Sequence, residues 1–195
     1  MEIKKIITRD MDQNCYLIQN GSKGILIDPG FDTAKILKET EDIEINYILL
    51  THCHFDHIYS CNYLDKKVVG SKNCDNNLKN QNIVLCNISY EKGCDVILED
   101  GEEMDFEGIR VKCIYTPGHS DCSVCYKIGE NLFSGDTIFK GSIGRCDLPT
   151  GNMDIIEDSI RNIIYKMDDD IVIYPGHGGS TTVGYEKKYN PYFSE

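Results

Sequence analysis

Apolar residues along this chain fall mostly into short runs punctuated by Gly, Pro, Asn and Asp. Such a pattern favours strands over long helices. Ile3 to Thr8 and Cys15 to Gln19 read as strands, and Gly24-Ile25-Leu26-Ile27-Asp28 reads as a buried one, stopped by Pro29-Gly30. Asp32 is placed to cap a short helix from Thr33 to Thr40. Asn46 to Leu50 is another buried strand, and it runs directly into a histidine-rich segment. A helix is expected from Ile58 to Leu64, a strand at Val68-Val69-Gly70 and a polar helix from Lys72 to Asn80. In the second half, Glu102 to Phe106 and Ile109 to Tyr115 predict a hairpin around Glu107-Gly108. Ser123 to Ile128 and Asn131 to Ser134 predict another around Gly129-Glu130. Ile155, Ile156, Ile160, Ile163 and Ile164 share one face of a helix spanning Met153 to Met167. Asp168 to Asp170 ends it, and Ile171 to Tyr174 is a final buried strand.

Strands and helices in both halves imply sheets packed together with helices outside. No low-complexity linker divides the 195 residues, so residues 1–195 are expected to form a single domain. No apolar run approaches the ~18 residues of a membrane span, and the N-terminus lacks the apolar segment of a signal peptide. A cytoplasmic location is the expectation. The net charge of −12 argues against nucleic acid and acidic membranes as partners, because no Lys/Arg cluster offers a basic face.

Ten cysteines in a chain of this kind read as reduced, small buried hydrophobes rather than a disulfide framework. Cys122-Ser123-Val124-Cys125 has redox-like spacing, but positions i and i+3 of a strand face opposite sides. Packing is the expected role of that pair.

Five histidines carry the chemistry. Three lie in Thr51-His52-Cys53-His54-Phe55-Asp56-His57, and two follow Pro-Gly pairs, at His119 and His177. Asp136 ends a strand-like run after Ser134-Gly135 in the same manner. On an extended segment His52 and His54 point the same way and can grip one ion, while Cys53 points away as a bystander. If a helix starts near Phe55, Asp56 and His57 lie about 100° apart on its first turn and can face a second ion. His119 can complete the first set and His177 the second, with Asp136 bridging the pair. Imidazole and carboxylate ligands suit two divalent ions, zinc above all, with iron or manganese as alternatives. Gly118, Gly135 and Gly176 directly precede ligands, where positive φ can turn a strand end toward an ion. Two such ions outweigh Asp56, Asp136 and a bridging hydroxide by about one positive charge, which suits electron-rich carbonyls and anions. Lys140 and Arg145, in the loop after Asp136, are candidates for binding a substrate carboxylate.

His52-Cys53-His54-Phe55-Asp56-His57, followed in order by His119, Asp136 and His177, resembles the metal-ligand signature of the metallo-β-lactamase superfamily. Asp28, in Leu26-Ile27-Asp28-Pro29-Gly30, resembles the superfamily's first acidic motif, which supports the ligands. The resemblance covers nearly the whole chain. It implies an α+β fold, a four-layer αββα sandwich with a dinuclear metal site at one edge of the sheets. Asp136 stands where class B β-lactamases use cysteine, which argues against antibiotic hydrolysis. Leu132 to Asn152, together with Thr181-Thr182, Glu186 and Asn190-Pro191, is similar to short hydroxyacylglutathione hydrolase (glyoxalase II) relatives. Asp121-Cys122 replaces a Pro-Gly common in those relatives.

The implied activity is hydrolysis of a small-molecule thioester by a metal-bridging hydroxide, with Asp56 and Asp136 as the catalytic carboxylates. Only 18 residues follow His177 (195 minus 177), so the helical domain that grips glutathione in full-length glyoxalase II is not expected. Alternatives on the same scaffold are a mononuclear-iron persulfide dioxygenase using the counterparts of His52, His119 and Asp136, a lactonase, or a metal-binding regulatory domain.

Overall fold

The computed structural model describes residues 1–9, 11–80, 90 and 92–194. The first six-stranded sheet is built from β1 (Glu2–Ile7), β2 (Asn14–Asn20), β3 (Lys23–Ile27), β4 (Glu44–Leu49), β5 (Lys67–Gly70) and β6 (Val96–Ile97), hydrogen-bonded in that order. Helix α1 (Thr33–Glu39) joins β3 to β4, α2 (Phe55–Ile58) follows β4, and α3 (Lys72–Asn80) follows β5. These connections make β3, β4, β5 and β6 parallel, whereas β1, β2 and β3 pair antiparallel.

The second sheet holds β7 (Glu103–Phe106), β8 (Ile109–Tyr115), β9 (Val124–Ile128), β10 (Asn131–Gly135), β13 (Val172–Pro175) and β14 (Thr181–Thr182), in the order β14-β13-β10-β9-β8-β7. β11 (Ile138–Phe139) and β12 (Ser142–Ile143) form a small ribbon beside it. The β7–β8 turn is two residues long, with Phe106 opposite Ile109, and both Glu107 (φ 57°) and Gly108 (φ 79°) are left-handed. Positive φ at both positions matches the twist of the flanking strands.

Alternation along the strands sorts the core into layers. Tyr16, Ile18, Ile25, Ile27, Leu49 and Val69 of the first sheet meet Phe106, Val111, Val124, Tyr126 and Phe133 of the second. Leu17, Leu26, Ile48 and Val68, on the opposite face of the first sheet, pack under Ile36 of α1 and Cys74 and Leu78 of α3. Leu132 and Ile173, on the outer face of the second sheet, pack under Ile156, Ile160, Ile164 and Val183. The result is an αββα sandwich, as the resemblance implies.

Several elements differ from the expectation: the two-residue strands β6, β11, β12 and β14 are not foreseen, and β14 follows the strand expected to be the last. The helix expected at Ile58 to Leu64 is α2 followed by a 3-10 turn, Tyr59–Asn62. Ser60 explains the break: its N–H donates to Pro29 O (3.0 Å) and its hydroxyl to Gly30 O (2.6 Å), so the chain is tied to the β3–α1 loop. The helix from Met153 is regular through Asp158 (α4), then widens over Ser159–Ile163 and tightens over Ile164–Lys166. Helix α5 (Val183–Tyr189) is not foreseen by hydrophobic period, because its inward face carries Glu186, fully buried, beside Val183. No helix among the described residues is long and apolar enough to cross a membrane.

Candidate metal centre

β3 and β4 are parallel neighbours, and β8, β10 and β13 run the same way within the second sheet. Every candidate ligand follows the C-terminal end of one of these strands: Asp28 after β3, His52 to His57 after β4, His119 after β8, Asp136 after β10 and His177 after β13. Backbone bonds clamp the two edges together, from Val124 N–H to Thr51 O (2.8 Å) and Asn14 N–H to Gly176 O (2.7 Å), while Gly176 N–H to Gly135 O (2.8 Å) ties β13 to β10 within the second sheet.

Two groups of three donors converge there, each with its ligand atoms within 4.8 Å of one another: His52, His54 and His119, and Asp56, His57 and His177. Asp136 stands between them, with Oδ1 3.3 Å from His57 Nε2, and Oδ2 3.6 Å from His177 Nε2 and 3.7 Å from His119 Nε2. A third converging set, Asp28, His52 and His57, lies behind these groups. Asp28, however, is committed to protein donors. It accepts from Thr51 N–H (2.8 Å), the Thr51 hydroxyl (2.6 Å) and His57 Nδ1 (2.9 Å).

These outer contacts aim the rings. Thr51 Oγ1 lies 3.1 Å from His52 Nδ1, the Arg145 carbonyl 2.8 Å from His119 Nδ1 and the Met11 carbonyl 3.2 Å from His177 Nδ1. With Nδ1 engaged, each Nε2 faces the centre, the arrangement that orients imidazole ligands. His54 is turned the other way, with Nδ1 2.8 Å from His119 Nε2. Two imidazole nitrogens this close share either a proton or a cation.

Gly135 adopts φ 49° against the Thr51 hydroxyl. Gly176 has no positive φ, contrary to the expectation from sequence; its role is room, since a Cβ would collide with Asp136 Oδ1 and His57.

His57 is fully buried, and His52, His54 and His119 are almost so; His177 is 26% exposed and marks the mouth. Burial, then the neighbouring His57 and His54 rings, hold His52 well below the ordinary histidine range. Burial and His119 lower His54 to about 4. Both rings are therefore neutral at neutral pH, with lone pairs available. Burial would also depress His57, but Asp136, Asp56 and Asp28 overcome it and raise the ring well above its usual value. Burial likewise opposes the charged forms of Asp56 and Asp136, yet His57 outweighs it and lowers both carboxyls. The centre is built to hold positive charge.

The residues fit metal ions. His52 Nε2, His57 Nε2 and Asp136 Oδ1, on the inner side of the cluster, are buried without a hydrogen-bond partner. Orphaned polar atoms at this depth are costly unless a cation takes them.

The structure does not bring Lys140 and Arg145 onto this cluster. Lys140 Nζ lies over the Tyr185 ring (5.9 Å to its centroid), and Arg145 is an exposed bidentate partner of Asp147 (2.7 Å for both bonds). An open groove of about 460 Å³ runs past Arg145, lined also by Ile143, Cys146, Met153 and Tyr192. Thr51 and the carbonyls of Met11 and Arg145 are site components that motif reading did not single out. Only Thr51, next to His52, carries any local signal.

Two packed sheets with helices outside and a His/Asp centre at one edge define the metallo-β-lactamase fold. A family model for the metallo-beta-lactamase superfamily matches residues 8–69 and 87–177, and the chain belongs to that superfamily of metallo-hydrolases. Hydroxyacylglutathione hydrolase GloC of Haemophilus influenzae is 32% identical over all of this chain and 99% of its own length. Among solved structures, the BLEG-1 B3 metallo-beta-lactamase superposes with a TM-score of 0.91 at 30% identity over the full length of both chains. TTHA1623 in a di-iron-bound form superposes with a TM-score of 0.82 at 29% identity, covering 97% of this chain and 100% of its own.

Proposed function

We propose that this chain is a metal-dependent hydrolase of small-molecule thioesters, of the hydroxyacylglutathione hydrolase type. The observation that carries the reading is the pair of three-donor groups separated by Asp136, with buried ring nitrogens left for a cation. His52, His54 and His119 would hold one ion and Asp56, His57 and His177 the other, with Asp136 shared. Zinc, iron and manganese all suit this donor set, and the likeness to a di-iron protein keeps iron in view. Such ions supply a Lewis acid for a carbonyl and a water whose pKa falls toward ~7.

The chain's own groups do the rest. Asp28, Thr51 and the Met11 and Arg145 carbonyls fix the rings, so no ligand has to reorganise during turnover. Asp56 and Asp136 remain ionised between histidines and balance the charge of the ions. His177 and Phe139, in edge contact at 6.0 Å, border the mouth through which a substrate enters. Arg145 is the candidate anchor for a substrate carboxylate: its exposed pair with Asp147 is of the kind that contributes little and opens readily. Lys140, over the Tyr185 ring, is proposed as a second anchor.

Support for a thioester substrate comes from the full-length similarity to GloC. The likeness to BLEG-1 favours a second reading, hydrolysis of a β-lactam amide at the same centre. A panel of S-lactoylglutathione, other acyl thioesters, a lactone and a β-lactam, run beside the Asp136→Ala variant, separates them. The expected outcome is thioester turnover that falls at least ~10³-fold in the variant, together with lower metal content. Thioester turnover unchanged in Asp136→Ala, or a β-lactam preferred to every thioester, overturns the first reading.

A further inference from the structure

The metal loop rests on a group of buried sulfurs that the hydrolytic reading does not use. Cys53, between His52 and His54, places its Sγ 3.4 Å from Sγ of Cys122, which lies three residues beyond His119. The Ser120 hydroxyl lies 3.3 Å from the same Cys122 sulfur. Cys74 of α3 belongs to the same core layer as Cys53 and Cys122, and Cys94 packs against that layer. Both Cys74 and Cys94 sulfurs close over Gly70, where a Cβ would strike them. Cys125 sits elsewhere, beside Thr116 in the layer outside the second sheet. Cys122 thus meets Cys53, 69 positions away, at 3.4 Å, with Cys74 within hydrogen-bond reach of both, and does not meet its C-x-x-C neighbour. No cysteine belongs to the described three-donor groups that converge within 4.8 Å, so the geometry favours a bond between two sulfurs over a thiolate metal site.

We propose that Cys53 and Cys122 form an oxidative modification site, joined by a hydroperoxide into a disulfide that displaces the ligand loop. In the first step one sulfur attacks a peroxide oxygen and the O–O bond breaks. Alcohol leaves (water, for hydrogen peroxide), and a sulfenic acid remains. The second sulfur attacks the first, the S–O bond breaks, and water leaves with the remaining thiol proton. Two thiols and one hydroperoxide give one disulfide, one alcohol and one water; the sulfurs lose two electrons and the peroxide gains them. The bond requires the sulfurs to close from 3.4 Å to about 2.05 Å. Because His52 and His54 flank Cys53 directly, that closure pulls on two ligands of one ion. Both thiols are about 1% exposed, which selects a small oxidant and excludes bulky thiol reagents.

The inference rests on placing His52 and His54 at the metal centre but not on the identity of the substrate. The test uses the zinc-loaded protein, since zinc does not cycle between oxidation states. Zinc content before treatment separates a failure of that placement from a failure of the thiol inference. After hydrogen peroxide, quenching, alkylation in denaturant and digestion without reduction, the expected product is a Cys53–Cys122 cross-linked peptide, cleaved by dithiothreitol. Zinc transfer from the oxidised protein to a chromophoric chelator is expected to be about tenfold faster. Cys125→Ala should form the same cross-link, whereas Cys122→Ala should not and should keep slow zinc release after peroxide. Full alkylation of both thiols in the treated wild type, a cross-link from Cys122 to Cys74 or Cys125, or unchanged zinc release from cross-linked protein overturns the proposal.

Discussion

Asp28 shows how much of the centre depends on a residue outside the two ligand groups. Its side chain holds the Thr51 backbone and hydroxyl and His57 Nδ1 at once, from a left-handed backbone (φ 50°) just past β3. Through Thr51 it also reaches His52, so one carboxylate sets a ring in each ligand group. Asp28→Asn keeps the shape but removes the charge and converts half of the acceptor into a donor. Metal affinity is expected to fall about 10–100-fold, the usual effect of losing such a support, as measured by chelator competition. Affinity equal to wild type would mean that His57 is oriented by something else. Motif reading singled out Asp28 and all seven candidate ligands because four lie in the run His52 to His57 and the others each follow a short glycine-marked strand end. The Met11 and Arg145 carbonyls left no trace in the sequence, since any residue type can present a carbonyl.

At the level of elements, α5 secures the loop that follows Asp136. Glu186 accepts from Gly141 N–H (3.0 Å), the Thr181 hydroxyl (2.5 Å) and Asn190 Nδ2 (2.8 Å), while Asn190 Nδ2 also donates to Ser142 O (3.1 Å). The ribbon carrying Phe139 and Lys140 is thus pinned from outside the site. Glu186→Ala leaves those donors buried and unpaired, at a cost of about 1–3 kcal/mol. The expected fall in melting temperature is roughly 5 °C, with Glu186→Gln intermediate; thermal unfolding of the three proteins decides, and equal midpoints would remove the anchoring role. Hydrophobic period finds β2, β3, β4, β8 and β10 because their faces are aliphatic. It overlooks α5 because a buried glutamate occupies the place of a core residue. It misjudges Ile58 to Leu64 because the hydrogen bonds from Ser60 to Pro29 and Gly30 come from a distant segment. The pairing of Cys53 with Cys122 is hidden for the same reason.

For the whole molecule, gathering five imidazoles and three carboxylates at one edge makes stability depend on pH and on bound metal. In metal-free protein, burial and neighbouring rings place His52 and His54 below the ordinary value of 6.5, His54 at about 4. Between those pH values the unfolded chain binds protons that the folded chain does not. The contribution of these two rings is then full above pH 6.5 and is lost as pH falls toward 4. His57 and His177 are raised, so the folded chain keeps them protonated throughout, and they offset the decline near pH 6.5, where the unfolded rings are only half protonated, but not toward the lower end of the window. Urea unfolding of chelator-treated protein at a series of pH values should show this decline; a flat profile between about pH 5.5 and 4.5 contradicts it. Bound metal adds stability by mass action and should suppress the decline until the ligands themselves protonate.

A two-ion centre is a statement about stoichiometry, and elemental analysis of the purified, metal-replete chain measures it. Two equivalents of divalent metal per chain are predicted, falling in His52→Ala and in His177→Ala separately. One equivalent that survives either substitution unchanged, or no bound metal in the wild type, would contradict the account.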